Sequence, residues 1–239
     1  TLARRLINED ARVFIVDDLS SGKKENLPSS ADLDILSVQD PLLGKLIKKI
    51  KPDAVFHCAA HINVRNSLKN PLKDAQTNII GSINLFEACR ENLVKTIIFP
   101  STSGALYGEA CVIPTPENER LLPSSPYGAA KISVENYLSY YANTHNFNTQ
   151  ILRLSNVYGP FQNREGEAGV VSVFCNARKT GKAAIIYGDG NQTRDFIYVE
   201  DVVDAFVKVL EQSGYNLYNI GTGIETSINA LWDIIFQDT

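Results

Sequence analysis

Leu2, Leu6 and Ile7 recur at helical spacing among polar neighbours, and Arg12 to Val16 then form a short β-rich run that ends in Asp17-Asp18. Past the polar turn Ser20-Ser21-Gly22 the alternation repeats: extended over Asp34 to Val38, helical over Leu42 to Ile50, extended over Ala54 to Cys58, helical through Asn78 to Asn92. Thr96 to Pro100 reads as another apolar strand, the segment after Pro126 as a long helix to about Asn143, and Gln150 to Leu154 as strand again. Strands that are apolar throughout, each followed by a helix, predict a parallel sheet covered on both faces and hence a doubly wound α/β fold. Beyond Asn156 the rhythm loosens. Gly159-Pro160, Gly166 to Gly169 and Gly188-Asp189-Gly190 cut the chain into short pieces, as where loops build a pocket over the carboxyl edge of a sheet. A soft boundary near Gly159 divides residues 1–158 from a smaller lobe at 159–239. The helix expected over Asp201 to Leu210 is placed to pack back onto the first part, and another helix begins at Ile228.

Of 239 residues, 44% are hydrophobic and 21% charged, which excludes disorder and a collagen-like chain. The 23 Lys and Arg against 27 Asp and Glu give a net charge of −4, and no basic stripe is present, so nucleic acid is not an expected partner. Lys45 to Lys51 reads as a solvated helix face. Cys58, Cys89, Cys111 and Cys175 lie 31, 22 and 64 positions apart without a CxxC, and His57, His61 and His145 show no ligand spacing. Reduced thiols, a cytoplasmic setting and no metal are therefore expected. No apolar stretch reaches the roughly 18 residues of a membrane span, and Thr1 to Asp10 carry charge where a signal peptide is apolar. Cys58, ending a buried-looking strand, is expected as a small core residue, and Trp232 as a core aromatic.

The most informative stretch runs from Ser124 to Lys131. A serine there can cap a helix, Pro126 suits its first turn, and Tyr127 and Lys131 then stand four positions apart on one face. A free phenol, with its pKa of about 10, is a poor base at neutral pH, but a neighbouring cation favours the phenolate and makes it a usable proton acceptor. A surface Tyr and Lys at helical spacing would look the same. Ser101, Thr102 and Ser103 follow an apolar strand, where doubly wound sheets place their sites, and a hydroxyl there could relay a substrate proton to Tyr127; an ordinary Ser/Thr turn is the other reading. Asp17 stands where a dinucleotide fold presents a carboxylate to the adenosine ribose, which favours NAD over its 2′-phosphorylated counterpart. No glycine precedes Gly22, so the fingerprint expected about 20 positions upstream is not in this sequence.

Taken in order, Val16-Asp17-Asp18-Leu19-Ser20, Phe56-His57-Cys58-Ala59-Ala60-His61, Asn78-Ile79-Ile80-Gly81-Ser82 and Ser101-Thr102-Ser103 with Leu106-Tyr107-Gly108-Glu109 join the Tyr127/Lys131 pair. Arg153 to Pro160, Tyr187 to Val199 and Asn219 to Gly223 follow. With them the sequence resembles the extended short-chain dehydrogenase/reductase family, in its nucleotide-sugar 4-epimerase branch, nearly end to end. The resemblance implies a Rossmann-like fold with a nucleotide-sugar lobe, NAD as cofactor, a UDP-sugar as favoured substrate and a homodimer built on the helices after Pro71 and Pro126. It places Asp17 and Asp18 at the adenosine ribose, Ser37 and Val38 near adenine, and Cys58, Ala59 and Ala60 along the diphosphate and nicotinamide ribose. Asn78 steadies the active-site helix, Lys131 also binds the nicotinamide ribose, His61 lies on the nicotinamide side, and Asn156 and Arg194 hold the substrate diphosphate. A salt bridge to Asp189 or Asp195 is the other reading of Arg194. Counting back from Tyr107 gives Ser103 as the relay hydroxyl, with Thr102 as competitor because Gly104-Ala105 looks like an insertion.

By the same resemblance, Tyr127 takes the sugar 4-OH proton while C4 is oxidised, the 4-keto sugar turns over, and reduction from the other face inverts C4. A 4,6-dehydratase needs an acid and base beside the relay, where this sequence has Gly104-Ala105. A uronate decarboxylase or uronate epimerase, and a non-catalytic dinucleotide-binding protein, are the remaining rivals. Against the family pattern, the chain begins inside the helix after the glycine-rich loop and stops early in its last helix, so the first strand and that loop are expected to belong to a longer protein.

Overall fold

The computed structural model describes residues 1–109, 112–162 and 169–237, so Cys111 and the turn beginning at Gly166 lie outside the described residues. In chain order the helices are α1 (Leu2–Asn8), α2 (Leu43–Ile50), α3 (Val64–Lys69), α4 (Pro71–Ala75), α5 (Gly81–Glu91), α6 (Pro126–His145), α7 (Val170–Thr180), α8 (Val199–Lys208) and α9 (Ile228–Phe236). The strands are β1 (Phe14–Asp17), β2 (Asp32–Ile35), β3 (Ala54–Phe56), β4 (Thr96–Thr102), β5 (Asn148–Leu154), β6 (Asn156–Tyr158), β7 (Thr193–Arg194), β8 (Phe196–Tyr198), β9 (Tyr215–Ile220) and β10 (Thr226–Ser227).

β3, β4, β5 and β9 form a four-stranded parallel sheet in that order, and β1 pairs in parallel with β2 alone. Among the described residues, β1 and β3 are each hydrogen-bonded along a single edge. The central strands explain the layering. Ile97, Phe99 and Ile151 turn to one face, where Leu85, Phe86, Val134 and Leu138 of α5 and α6 cover them. Ile98 and Leu152 turn to the other and meet Val202 and Phe206 of α8, so this late helix packs on the sheet. Alternation with both faces apolar is what a doubly covered parallel sheet requires.

Several boundaries differ from the sequence reading. β4 runs through Ser101 and Thr102, because the ladder to β5 continues to Leu154. The helix expected from Asn78 starts earlier: Asn63 and Asn70 cap α3 and α4, and a π-helical turn over Gln76–Ile80 joins α4 to α5. Trp232 packs in a satellite cluster, stacked at 4.0 Å on Phe236 and edge-on to Phe174.

Candidate active site

Ser125 accepts the Gly128 N–H at 3.1 Å and Pro126 occupies the first turn, so α6 begins where the capping residues predict. Gly128 permits a close approach: a Cβ there would stand 2.3 Å from the Ala105 carbonyl, just past Ser103. One turn in, the Lys131 ammonium lies 5.9 Å from the Tyr127 ring centroid and 4.3 Å from that of Phe99, and donates to the Pro100 carbonyl at 2.8 Å. The pair expected on one face does share it. Lys131 is 5% exposed, and burial pushes its pKa down to about 8 against the pull of Cys58, Glu135 and Asp74. Tyr127 is half-buried, and its N–H donates to Ser67 on α3.

The three hydroxyls at the end of β4 separate. Ser101 is buried and donates to Glu135 at 2.6 Å. Ser103 donates to the Leu154 carbonyl at 3.0 Å. Thr102 continues the series of Ile98, which turns toward α8, whereas Ser101 continues that of Phe99, toward α6.

The residues expected around a dinucleotide gather at the carboxyl ends of β1, β2 and β3. Asp17 accepts the Leu19 N–H at 2.7 Å, and a side chain at Gly22 would come within 3.1 Å of its carboxylate. Asp18 is exposed, and hydrogen bonds from Ser20 hold its pKa below the usual carboxylate value, helped by the charge of His61. Ser37 accepts the Gln39 N–H, and the Val38 carbonyl accepts Asn84. Gly81 lets α5 lie against this turn, since a Cβ would stand 2.5 Å from Val38 Cγ1.

Residues 57–61 are pinned at both ends. His57 Nε2 meets Ser82 Oγ at 2.7 Å, and Ser82 in turn donates to the Asn78 carbonyl. Burial, with Lys131 nearby, pushes the His57 pKa down to about 3, so its ring is neutral and, with the Ser82 proton committed, donates through Nε2. Asn78 accepts the His61 N–H at 2.7 Å and donates to the His61 carbonyl at 2.9 Å and to Asp74 at 3.0 Å. Burial raises the Asp74 pKa, and its second oxygen has no partner among the described residues. Between these anchors Cys58 and Ala59 are exposed and Ala60 is half-buried. The expectation of a core Cys58 is thus corrected: β3 ends at Phe56 and the chain turns outward, the Cys58 N–H closing on the Phe56 carbonyl at 3.0 Å.

Beyond β5 lies a 490 Å³ pocket that includes Asn156 and Arg194 in its wall. Asn156 is exposed, its N–H held by the Asp195 carbonyl. Arg194 is exposed and donates to the Thr193 carbonyl at 2.7 Å. The acids weighed as its partners are occupied elsewhere, Asp195 by Thr222 and Gly223 and Asp189 by Asn191. Its wall also includes Gln162, Phe174 and Ile186, which the sequence did not single out. The Gln162 amide nitrogen donates to the Val157 carbonyl, and its buried oxygen has no partner among the described residues. The regular spacing of apolar residues on α7 was the one available signal for Phe174. Among the described residues, no group of three His, Cys, Asp or Glu could hold a metal, and no helix is long and apolar enough to cross a membrane.

Residues 1–221 match the family model described as the NAD dependent epimerase/dehydratase family. The chain is 40% identical over 237 residues to the UDP-glucose 4-epimerase of Mycolicibacterium smegmatis, spanning 97% of this chain and 76% of that protein. Among solved structures, the UDP-glucose 4-epimerase of Thermotoga maritima with UDP-glucose superposes with a TM-score of 0.97 at 42% identity, over 99% of this chain and 77% of that one. The UDP-N-acetylglucosamine 4-epimerase of Methanobrevibacter ruminantium, in complex with UDP-N-acetylmuramic acid, follows with 0.91 and 39%, over 98% and 76%. With its parallel sheet, its Tyr127/Lys131 pair and a family match over most of its length, this chain belongs to the NAD dependent epimerase/dehydratase family.

Proposed function

We propose that the protein inverts C4 of a nucleotide-diphosphate sugar, a UDP-sugar by preference, through a transient 4-keto intermediate. The observation that carries this reading is the buried Lys131 ammonium facing the Tyr127 ring beside the end of β4. The residues present fit NAD: Asp17 ends β1 and Asp18 follows it, the 58–60 loop is made of small residues with Cys58 and Ala59 exposed, and the turn at Ser37 and Val38 is held against α5. When bound there, NAD supplies the reversible two-electron oxidation of C4. Asp17 and Asp18 hold the adenosine ribose, Ser37 and Val38 the adenine, and Cys58 to Ala60 the diphosphate and nicotinamide ribose. Asn78 fixes the loop that shapes this cradle. Lys131 stabilises the Tyr127 phenolate and binds the nicotinamide ribose, and Tyr127 takes the 4-OH proton and gives it back. Ser103, one residue past the end of β4, turns its hydroxyl from the Leu154 carbonyl to hydrogen-bond the reacting oxygen. Gly104 and Ala105 bring neither an acid nor a base beside it, which favours epimerisation over elimination.

In this reading residues 1–158 bind the cofactor and 159–239 the nucleotide sugar, with α8 and β9 returning to the first sheet. Incubating the NAD-loaded protein with UDP-glucose and UDP-N-acetylglucosamine is expected to give the C4 epimer by NMR. A 4-keto-6-deoxy product or no turnover would overturn the reading. Asn156 and Arg194 grip the diphosphate, and the guanidinium fork suits two phosphates. Arg194→Ala is expected to raise KM for the UDP-sugar by about 30-fold, with NAD affinity unchanged, the loss of one charge-assisted contact; equal KM values in a steady-state assay would refute this.

The setting is a reducing cytoplasm, consistent with free thiols at Cys58, Cys89 and Cys175. The assembly is a homodimer through α4 and α6. Leu68, Leu72 and Ile80 are 60%, 78% and 57% exposed, and Tyr137 and Tyr140 are exposed on α6. Apolar side chains gathered on neighbouring helices mark an interface. Leu72→Glu is therefore expected to halve the mass seen by sedimentation velocity without lowering the unfolding midpoint of the protomer; a monomeric wild type would refute the assignment.

A further inference from the structure

Behind the Tyr127/Lys131 pair lies an ion pair that the proposed chemistry does not use. Glu135, four positions beyond Lys131 on α6, and Arg153 of β5 are each 4% exposed and meet at 2.6 Å. The contact is a fork: Arg153 Nε and Nη2 donate to both carboxylate oxygens of Glu135. Glu135 also accepts from Ser101. From its other arm Arg153 donates to the Tyr107 hydroxyl at 2.7 Å and to the Glu117 carbonyl at 3.0 Å. The Tyr107 hydroxyl in turn donates to the Asn219 amide oxygen, and Asn219 donates to the Thr115 carbonyl and, through its backbone N–H, to the Glu117 carboxylate.

Stability alone does not account for such a pair. Removing two charges from water costs several kcal/mol, and well-packed apolar replacements are often neutral or better. What the pair does is join segments. Glu135 belongs to the helix that carries Tyr127 and Lys131. Arg153 precedes Leu154, whose carbonyl holds the Ser103 hydroxyl. Tyr107 closes the turn that Ser103 opens, the N–H groups of Leu106 and Tyr107 both bonding to the Ser103 carbonyl. Engaged by Arg153, Glu135 also leaves the Lys131 ammonium to the Pro100 carbonyl and the Tyr127 ring.

We infer that Glu135 and Arg153 are positioning residues that fix the Ser103 turn against the Tyr127/Lys131 helix. The inference rests on the proposed epimerase reading for its consequence in turnover, but its geometric part does not. A misplacement of about 1 Å at reacting groups costs on the order of 100-fold in rate.

The test uses the NAD-loaded protein with Glu135→Gln, Arg153→Lys and the double variant Glu135→Met/Arg153→Met. Both single variants are expected to lower kcat by about 100-fold with KM for the sugar nearly constant. Arg153→Lys keeps the charge, so its loss isolates the fork. The Met pair is expected to keep a urea midpoint close to the wild type and still not recover kcat. By hydrogen exchange, the Leu106 and Tyr107 amides should open faster in all three, while Ile98 and Ile151 in the sheet stay protected. A Met pair with wild-type kcat, a change confined to KM, or exchange that rises uniformly would overturn the inference. Should the wild type turn over no nucleotide sugar, the functional reading falls, and exchange at Leu106 and Tyr107 still decides whether the pair holds the turn.

Discussion

Tyr127→Phe is expected to lower kcat by about 10³-fold, within the range lost when a positioned proton-transfer group is removed. The change deletes one oxygen and keeps the ring that faces Lys131 at 5.9 Å. Lys131 is anchored independently, by the Pro100 carbonyl at 2.8 Å and the Phe99 ring, so its position survives the substitution. Stability should therefore change by less than about 1 kcal/mol, as for substitutions that empty no core site. Titration calorimetry with the UDP-sugar should give wild-type affinity, because the diphosphate is gripped in the pocket around Asn156 and Arg194, away from the phenol. A variant with more than about a tenth of wild-type kcat would remove Tyr127 from the proton path, since the smallest general-base contributions are about 10²-fold.

The start of α6 was legible because its signals are local: a capping serine, a proline in the first turn and two polar residues four apart all act within one turn of helix. The apolar runs of β4 and β5 were equally plain, since strands buried on both faces tolerate few polar residues. Ser101 shows where this logic stops. Its polarity suggested that the strand had ended, yet a hydroxyl can stay inside when a buried carboxylate accepts its hydrogen bond. Glu135 and Arg153 were hidden for the same reason: a charged residue in an amphipathic segment reads as solvent-facing, and only the tertiary fold brings its counter-ion to it. The π-helical turn at Asn78 is likewise tied to a distant segment, through the His61 N–H and carbonyl. Cys58 was misread because the strand that precedes it is two residues shorter than its apolar run. Gln162 and Phe174 belong to a pocket assembled from separate strands, helices and loops, which no single window of sequence displays.

Activity is expected to fall as pH rises through about 8, and Lys131→Met to remove both that limb and about 10³-fold of kcat at neutral pH, by withdrawing the cation that makes the Tyr127 phenolate usable. Burial disfavours the ammonium, lowering its pKa from 10.5 to about 8. The same shift acts on stability with the opposite sign. Between about 8 and 10.5 the unfolded chain binds the Lys131 proton and the folded chain does not, so this residue's contribution to stability grows as pH rises. Cys89 works against it at higher pH. Burial pushes its thiol from 9.0 up to about 12, so above 9 the unfolded chain sheds a proton that the folded one keeps. The clean window is therefore pH 8 to 9, where kcat should drop while the urea midpoint of the wild type rises relative to that of Lys131→Met. Ordinary alkaline unfolding would lower both together, and that result would show that Lys131 does not set the limb.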